Sequence, residues 1–138
     1  MKNYLRHRVI DNGVHEFLFY RNDHQAVDFF YGTIGQVFEF APKDKMVRYI
    51  VDWSQISAPS MNYMYMKVHE WGRKHPGVAP GRGVVIYNQR GFAAIGNALA
   101  KILMQLWGDK IQLRFVHAEK RDEAMAWLLS DGKPASAG

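Results

Sequence analysis

Met46-Val47-Arg48-Tyr49-Ile50-Val51-Asp52-Trp53 is the stretch whose reading decides the fold. Its centre, Tyr49-Ile50-Val51, is aromatic and β-branched. A short run that is apolar on both faces of its pleat suits a central strand covered from two sides. Asp52 and the turn-forming run from Ser54 to Ser60 end it. Two later runs repeat the design: Val84-Val85-Ile86-Tyr87 and Ile111-Gln112-Leu113-Arg114-Phe115-Val116. Helical patterns alternate with these strands, which predicts an α/β domain with parallel strands.

Toward the N-terminus, Tyr4 to Ile10 alternates weakly and Val14 to Tyr20 reads as a second strand. Between them Asp11-Asn12-Gly13 is the strongest hairpin signal in the chain, with Asn12-Gly13 expected as a two-residue turn at positive φ. The pair is expected to be antiparallel, at one side of the sheet. Asn22 or Asp23 can cap a helix from His24 to about Phe38, where Val27, Phe30, Tyr31, Ile34 and Phe38 fall at helical spacing. Gly32 and Gly35 weaken that helix by ~1 kcal/mol each. The competing reading is a hairpin of Val27–Tyr31 with Gln36–Phe40. Phe29, Phe30, Tyr31, Val37, Phe38 and Phe40 exceed what one helix face can hide. A second buried surface is therefore expected, against a homodimer partner or a loop.

Toward the C-terminus, Ser60 is a candidate cap for a helix with Met61, Met64, Tyr65, Val68 and Trp71 on one face. That helix must end by Lys74, because His75-Pro76-Gly77 cannot continue it. Val78 to Gly83 reads as a Pro/Gly loop. Asn88 to Gly91 turns into the most periodic helix, with Phe92, Ile95, Leu99, Ile102 and Leu106 as its stripe. A last helix follows His117-Ala118-Glu119, with Ala124, Trp127 and Leu128 facing inward, and Asp131-Gly132 stops it. The expected core is Ile50, Val51, Val85, Ile86, Leu99, Ile102, Phe115 and Trp127. Residues 1–132 are read as one domain and 133–138 as a disordered tail.

Composition narrows the chemistry. With 138 residues, 48% of them hydrophobic, the chain can build a real core. The absence of cysteine excludes disulfides, thiolate catalysis and cysteine-ligated zinc. No apolar run reaches about 18 residues and the first residues lack a signal-peptide core, so a cytoplasmic protein without a membrane span is expected. The net charge of +5 arises from scattered Lys and Arg, so nucleic acid is not an expected partner.

In open α/β sheets, ligands collect beyond the carboxyl ends of the strands. That edge holds the candidate binding residues Asp52, Ser54, Ser57, Ser60, Asn88, Arg90 and His117. Helix starts there offer free N–H groups to anions, Arg90 and His117 add donors, and the serines add hydroxyls. Each has a plainer role: Ser60 as a helix cap, Asp52 as an acceptor for its own loop, Arg90 as a solvated cation, His117 as a satisfied loop histidine. The spacing required by phosphate loops, dinucleotide folds, nucleophile elbows and histidine metal sites is missing. No catalytic residue, metal or cofactor is therefore expected.

The order hairpin, helix, strand, helix, strand, helix, strand, helix resembles the STAS domain of SpoIIAA-like anti-sigma-factor antagonists and sulfate-transporter tails. Tyr49-Ile50-Val51-Asp52-Trp53-Ser54 and the final Glu123-Ala124-Met125-Ala126-Trp127-Leu128-Leu129 carry the likeness, which spans Val14 to Leu129. It implies a SpoIIAA-like sheet and a non-catalytic regulatory domain that meets a protein partner through the loop and helix after the central strand. The SEC14-related side of the group implies instead a small apolar or lipid ligand. Phosphoswitch antagonists carry Asp-Ser-Ser-Gly at the start of that helix. Here Ser60-Met61-Asn62-Tyr63 stands in its place, leaving Ser60 or Ser57 as substitutes.

Overall fold

The computed structural model describes residues 3–89 and 93–130, and of residues 93–95 the backbone alone. The expectations for Arg90, Gly91, Phe92, the Ile95 side chain, the Asp131-Gly132 stop and the tail 133–138 lie outside the described residues.

Five strands form one mixed sheet in the order of the chain: β1 (Leu5–Ile10), β2 (Val14–Phe19), β3 (Val47–Asp52), β4 (Gly81–Tyr87) and β5 (Ile111–His117). β1 and β2 are antiparallel and the other neighbours are parallel. The connecting helices are α1 (His24–Phe40), α2 (Met61–Lys74) and α3 (Ala93–Trp107), and α4 (Arg121–Leu128) follows the last strand. Crossovers of one hand that step along a sheet in one direction leave all their helices on one face. That face is the large core, where Phe17, Phe19, Tyr49, Val51, Trp53 and Val85 meet Phe30, Phe38, Met64, Val68, Leu99 and Leu103. The opposite face is covered by α4, where Val14, Ile50, Val84 and Ile86 meet Ala124 and Leu128. β3 is thus the middle strand, apolar on both sides as its sequence implied.

Residues 24–40 are helical throughout, which removes the hairpin alternative. Asp23 caps the helix by accepting from the Ala26 N–H at 2.9 Å. Gly35 has a packing reason: a Cβ there would lie 2.9 Å from Trp71 Nε1 on α2. The surplus aromatic side chains divide. Phe30 and Phe38 are buried, whereas Phe29 and Phe40 are 48% and 81% exposed.

Three expectations need correction. β4 begins at Gly81 rather than Val84, because the supposed loop glycines are strand positions on which rings lie: Phe38 over Gly81 and Tyr49 over Gly83. Ile102, Phe115 and Trp127 are half-buried rather than core, Trp127 because it lies between the guanidinium groups of Arg82 and Arg114. The hairpin loop has three residues, Asp11–Gly13, between the paired Ile10 and Val14. Asn12 and Gly13 do have positive φ, 63° and 75°. A Cβ on Gly13 would meet nothing within 4 Å, so Gly13→Val carries only the backbone cost of a left-handed residue. It should lower stability by about 1–2 kcal/mol in urea unfolding, and Gly13→Asn should lose less.

A histidine pair joins the hairpin strands on the large-core face. His7 Nε2 and His15 Nδ1 are 2.9 Å apart, the ring centroids 5.2 Å apart and the planes within 12°. The rings therefore meet edge to edge, nitrogen to nitrogen, so one must donate and the other accept. Burial lowers the pKa of both, and His7 lowers that of His15 further. A histidine with a depressed native pKa binds protons more readily when unfolded, so stability is lost as pH falls below ~6.5. The melting temperature should drop between pH 7.5 and 5.5, and the drop should shrink in the His7→Phe, His15→Phe double variant.

Candidate functional site

The carboxyl edge of the parallel strands brings Asp52, Ser54, Asn88 and His117 together. Asp52 is buried; its Oδ1 accepts from the Ser54 N–H at 2.8 Å. Asn88 Nδ2 donates to the Ser54 carbonyl, and His117 Nε2 lies 3.2 Å from the Asn88 carbonyl oxygen. The other ring nitrogen of His117, Nδ1, accepts from the Glu119 N–H, which fixes the imidazole as a donor to Asn88. Asp52, Asn88 and His117 thus hold the loops of the edge in place.

The serines stand apart from that set. Ser60 accepts from the Tyr63 N–H and caps α2, with its side chain exposed. Ser57 is exposed, and its carbonyl is held by Asn22 Nδ2 at 3.2 Å. The Ala58 N–H donates to Gln89 Oε1 at 3.2 Å. The β3–α2 loop is therefore braced from the β2–α1 loop on one side and the segment after β4 on the other. Just inside α2, Tyr63 donates to Asp28 of α1, which pushes its hydroxyl pKa up to about 12, and its ring lies flat on His24 at 3.7 Å.

The residues that reasoning from sequence missed lie on the α4 face. Arg121, the first residue of α4, forks between two carboxylates: Nη1 to Asp52 Oδ2 and Nη2 to Glu16 Oε2, both at 2.9 Å. Glu16 Oε1 also accepts from Arg8 Nε at 2.7 Å and from Arg6 Nη2 at 3.4 Å. Glu16 and Asp52 are buried, so each requires such a partner. A signal for this existed: the hairpin register places Arg8 opposite Glu16, and a lone carboxylate in the run Val14 to Tyr20 calls for a cation.

At the other end of α4, Arg48 Nε donates to the Leu128 carbonyl at 2.8 Å, and Arg82 Nη1 to the Trp127 carbonyl at 3.1 Å. Carboxylates thus sit by the first residue of α4 and arginines by its last carbonyls. Both placements complement the partial charges of a helix.

Beneath the three crossover helices lies an apolar cavity of about 60 Å³, walled by side chains that include Phe30, Tyr31, Tyr49, Met64, Trp71 and Leu103. Burial pushes the hydroxyl pKa of Tyr31 and Tyr49 above the usual range, so both remain protonated donors. Trp71 Nε1 is buried without an acceptor. Among the described residues, no three His, Cys, Asp or Glu side chains are placed to hold a metal ion. No described helix is long and apolar enough to cross a membrane. No protein-family model, curated protein or solved structure matches the chain.

Proposed function

We propose that the chain is a non-catalytic regulatory domain of the STAS type, which offers the β3–α2 loop and the first turn of α2 to a protein partner. The bracing of that loop supports the reading. Asn22, Asn88 and Gln89 hold its backbone from both sides while Gln55, Ser57 and Ser60 stay exposed. A loop already held in one shape binds with less ordering cost, which is what a recognition surface needs. The polar groups that remain buried at the edge, Asp52 above all, are engaged in holding it.

A photo-crosslinking residue placed at Ser57 or Ser60 in cells tests this, with Lys43 at the far edge as control. A discrete adduct is expected from the loop positions alone, and it should fade in an Asn22→Ala, Asn88→Ala background. Equal labelling from all three positions would defeat the reading.

The cavity favours a second reading, a small apolar ligand. Its volume of about 60 Å³ has room for a few carbon atoms, against about 150 Å³ for a void that takes benzene. Tyr31, Tyr49 and Trp71 would supply donors to a polar end. Native mass spectrometry of freshly purified protein decides it: a bare polypeptide mass with no solvent-extractable ligand rejects the idea. A homodimer would rest on Phe29 and Phe40, and sedimentation of wild type and Phe40→Ser at rising concentration tests it.

A further inference from the structure

Arg48 and Arg82 are directly paired across β3 and β4, and Arg114 pairs with Val84 two residues further along β5. All three share the strand faces that carry Ile50, Val84 and Val116, so they point to the α4 side of the sheet. Trp127 lies between two of them, its ring 4.8 Å from the Arg82 guanidinium carbon and 4.3 Å from that of Arg114. Like charges side by side on a sheet are destabilising. Among the described residues, no carboxylate lies within ion-pair distance of any of the three or of the exposed Arg73, whereas Arg6, Arg8, Arg21 and Arg121 all have one.

The end of α4 accounts for part of this cluster. Its free carbonyls take Arg48 Nε and Arg82 Nη1, but a helix end carries only about half a unit of negative charge. Arg82 is 1% exposed and, among the described residues, its Nη2 has no partner. Its other donors reach Gln112 Oε1 at 3.0 Å and Ser130 Oγ at 2.7 Å, both uncharged. Burial, then the charges of Arg48 and Arg114, hold its pKa below the usual arginine range. Ser130 and Arg114 are exposed, so the cluster meets the surface where α4 ends.

We infer that Arg48, Arg82 and Arg114 form a binding site for a phosphate group, free or esterified. Guanidinium groups bind the oxygens of phosphate by paired, charge-assisted hydrogen bonds. Arg114 is exposed and Arg48 partly so, and these two would meet the anion, with the buried charge of Arg82 adding to the field that attracts it. The anion would lie at the end of α4, away from the β3–α2 loop, so the site is independent of the partner surface proposed above.

Calorimetric titration with inorganic phosphate, at constant ionic strength with chloride as the balancing anion, is the test. Saturable binding to wild type is expected, weakened at least about tenfold in Arg48→Gln and in Arg114→Gln, each checked for an unchanged circular dichroism spectrum. Glycerol 3-phosphate as a second titrant separates an ester, which would bind more tightly, from the free ion. Absence of saturation in wild type overturns the inference, as does binding that neither variant changes. Asp131 is the next residue in the sequence after Ser130. Binding by Asp131→Asn but not by wild type would mean that the cluster serves the chain's own carboxylate, and would also overturn it.

Discussion

Gly83→Ala is expected to cost about 3 kcal/mol or more in urea unfolding, although it adds one methyl group to a β-strand. The added Cβ would fall 2.3 Å from Cε2 and Cζ of the Tyr49 ring and 2.7 Å from its hydroxyl oxygen. Tyr49 cannot step aside. Its backbone is opposite Gly83 in the β3–β4 register, and its ring is buried against Phe38 at 6.1 Å between centroids. The loss should be specific to that contact. Tyr49→Leu in the Gly83→Ala background should return part of it, and the double-mutant cycle should give a coupling above ~1 kcal/mol. Additive effects of the two substitutions would show that the ring is free to move.

Arg121→Met should cost about 3 kcal/mol. The substitution leaves behind two carboxylates whose side chains are only 5% and 10% exposed, Glu16 and Asp52. Glu16 keeps Arg8, but among the described residues Asp52 keeps only the Ser54 N–H. Stranding one member of a buried pair is costly because the remaining charge has neither water nor partner. Partial exposure of Arg121 itself, 37%, places the expected loss at the low end of the usual range. Adding Asp52→Asn should recover part of it, since an amide needs no counter-charge and its oxygen can still accept from Ser54. Hydrogen exchange should then locate the weakening in α4 and not in α1 or α2.

The alternation of strands and helices was legible because the runs from Tyr49, Val84 and Ile111 are short, apolar and separated by clear stop signals. The Asn12-Gly13 turn and the Asp23 and Ser60 caps follow local rules of backbone chemistry, and local rules can be read from local sequence. The start of β4 was hidden because its glycines look like a loop, while their cause is ring contact from Phe38 and Tyr49, 43 and 34 residues away. Asp52 was visible at the strand end, but its main partner is 69 residues further along. The roles of Arg48, Arg82 and Arg121 were equally out of reach, because they depend on where α4 lies, which no period along the chain encodes. Ser57 and Ser60 were found as exposed hydroxyls; the side chains that steady their loop come from elsewhere in the fold.

The strand order has a consequence for how the molecule comes into being. Each strand pairs with the one made just before it, so no strand has to wait for a later one to be inserted beside it. Synthesis can add one crossover unit at a time to a growing edge, and pairing that is sequential in the chain shortens the loops that must close. Of the described helices, the one that shields the opposite side is the last to emerge. Until residues 121–128 have been made, Val14, Ile50, Val84 and Ile86 lack their apolar lid. A nascent or truncated chain lacking α4 would be a sheet with one greasy side, and that is the form most prone to stick to its neighbours.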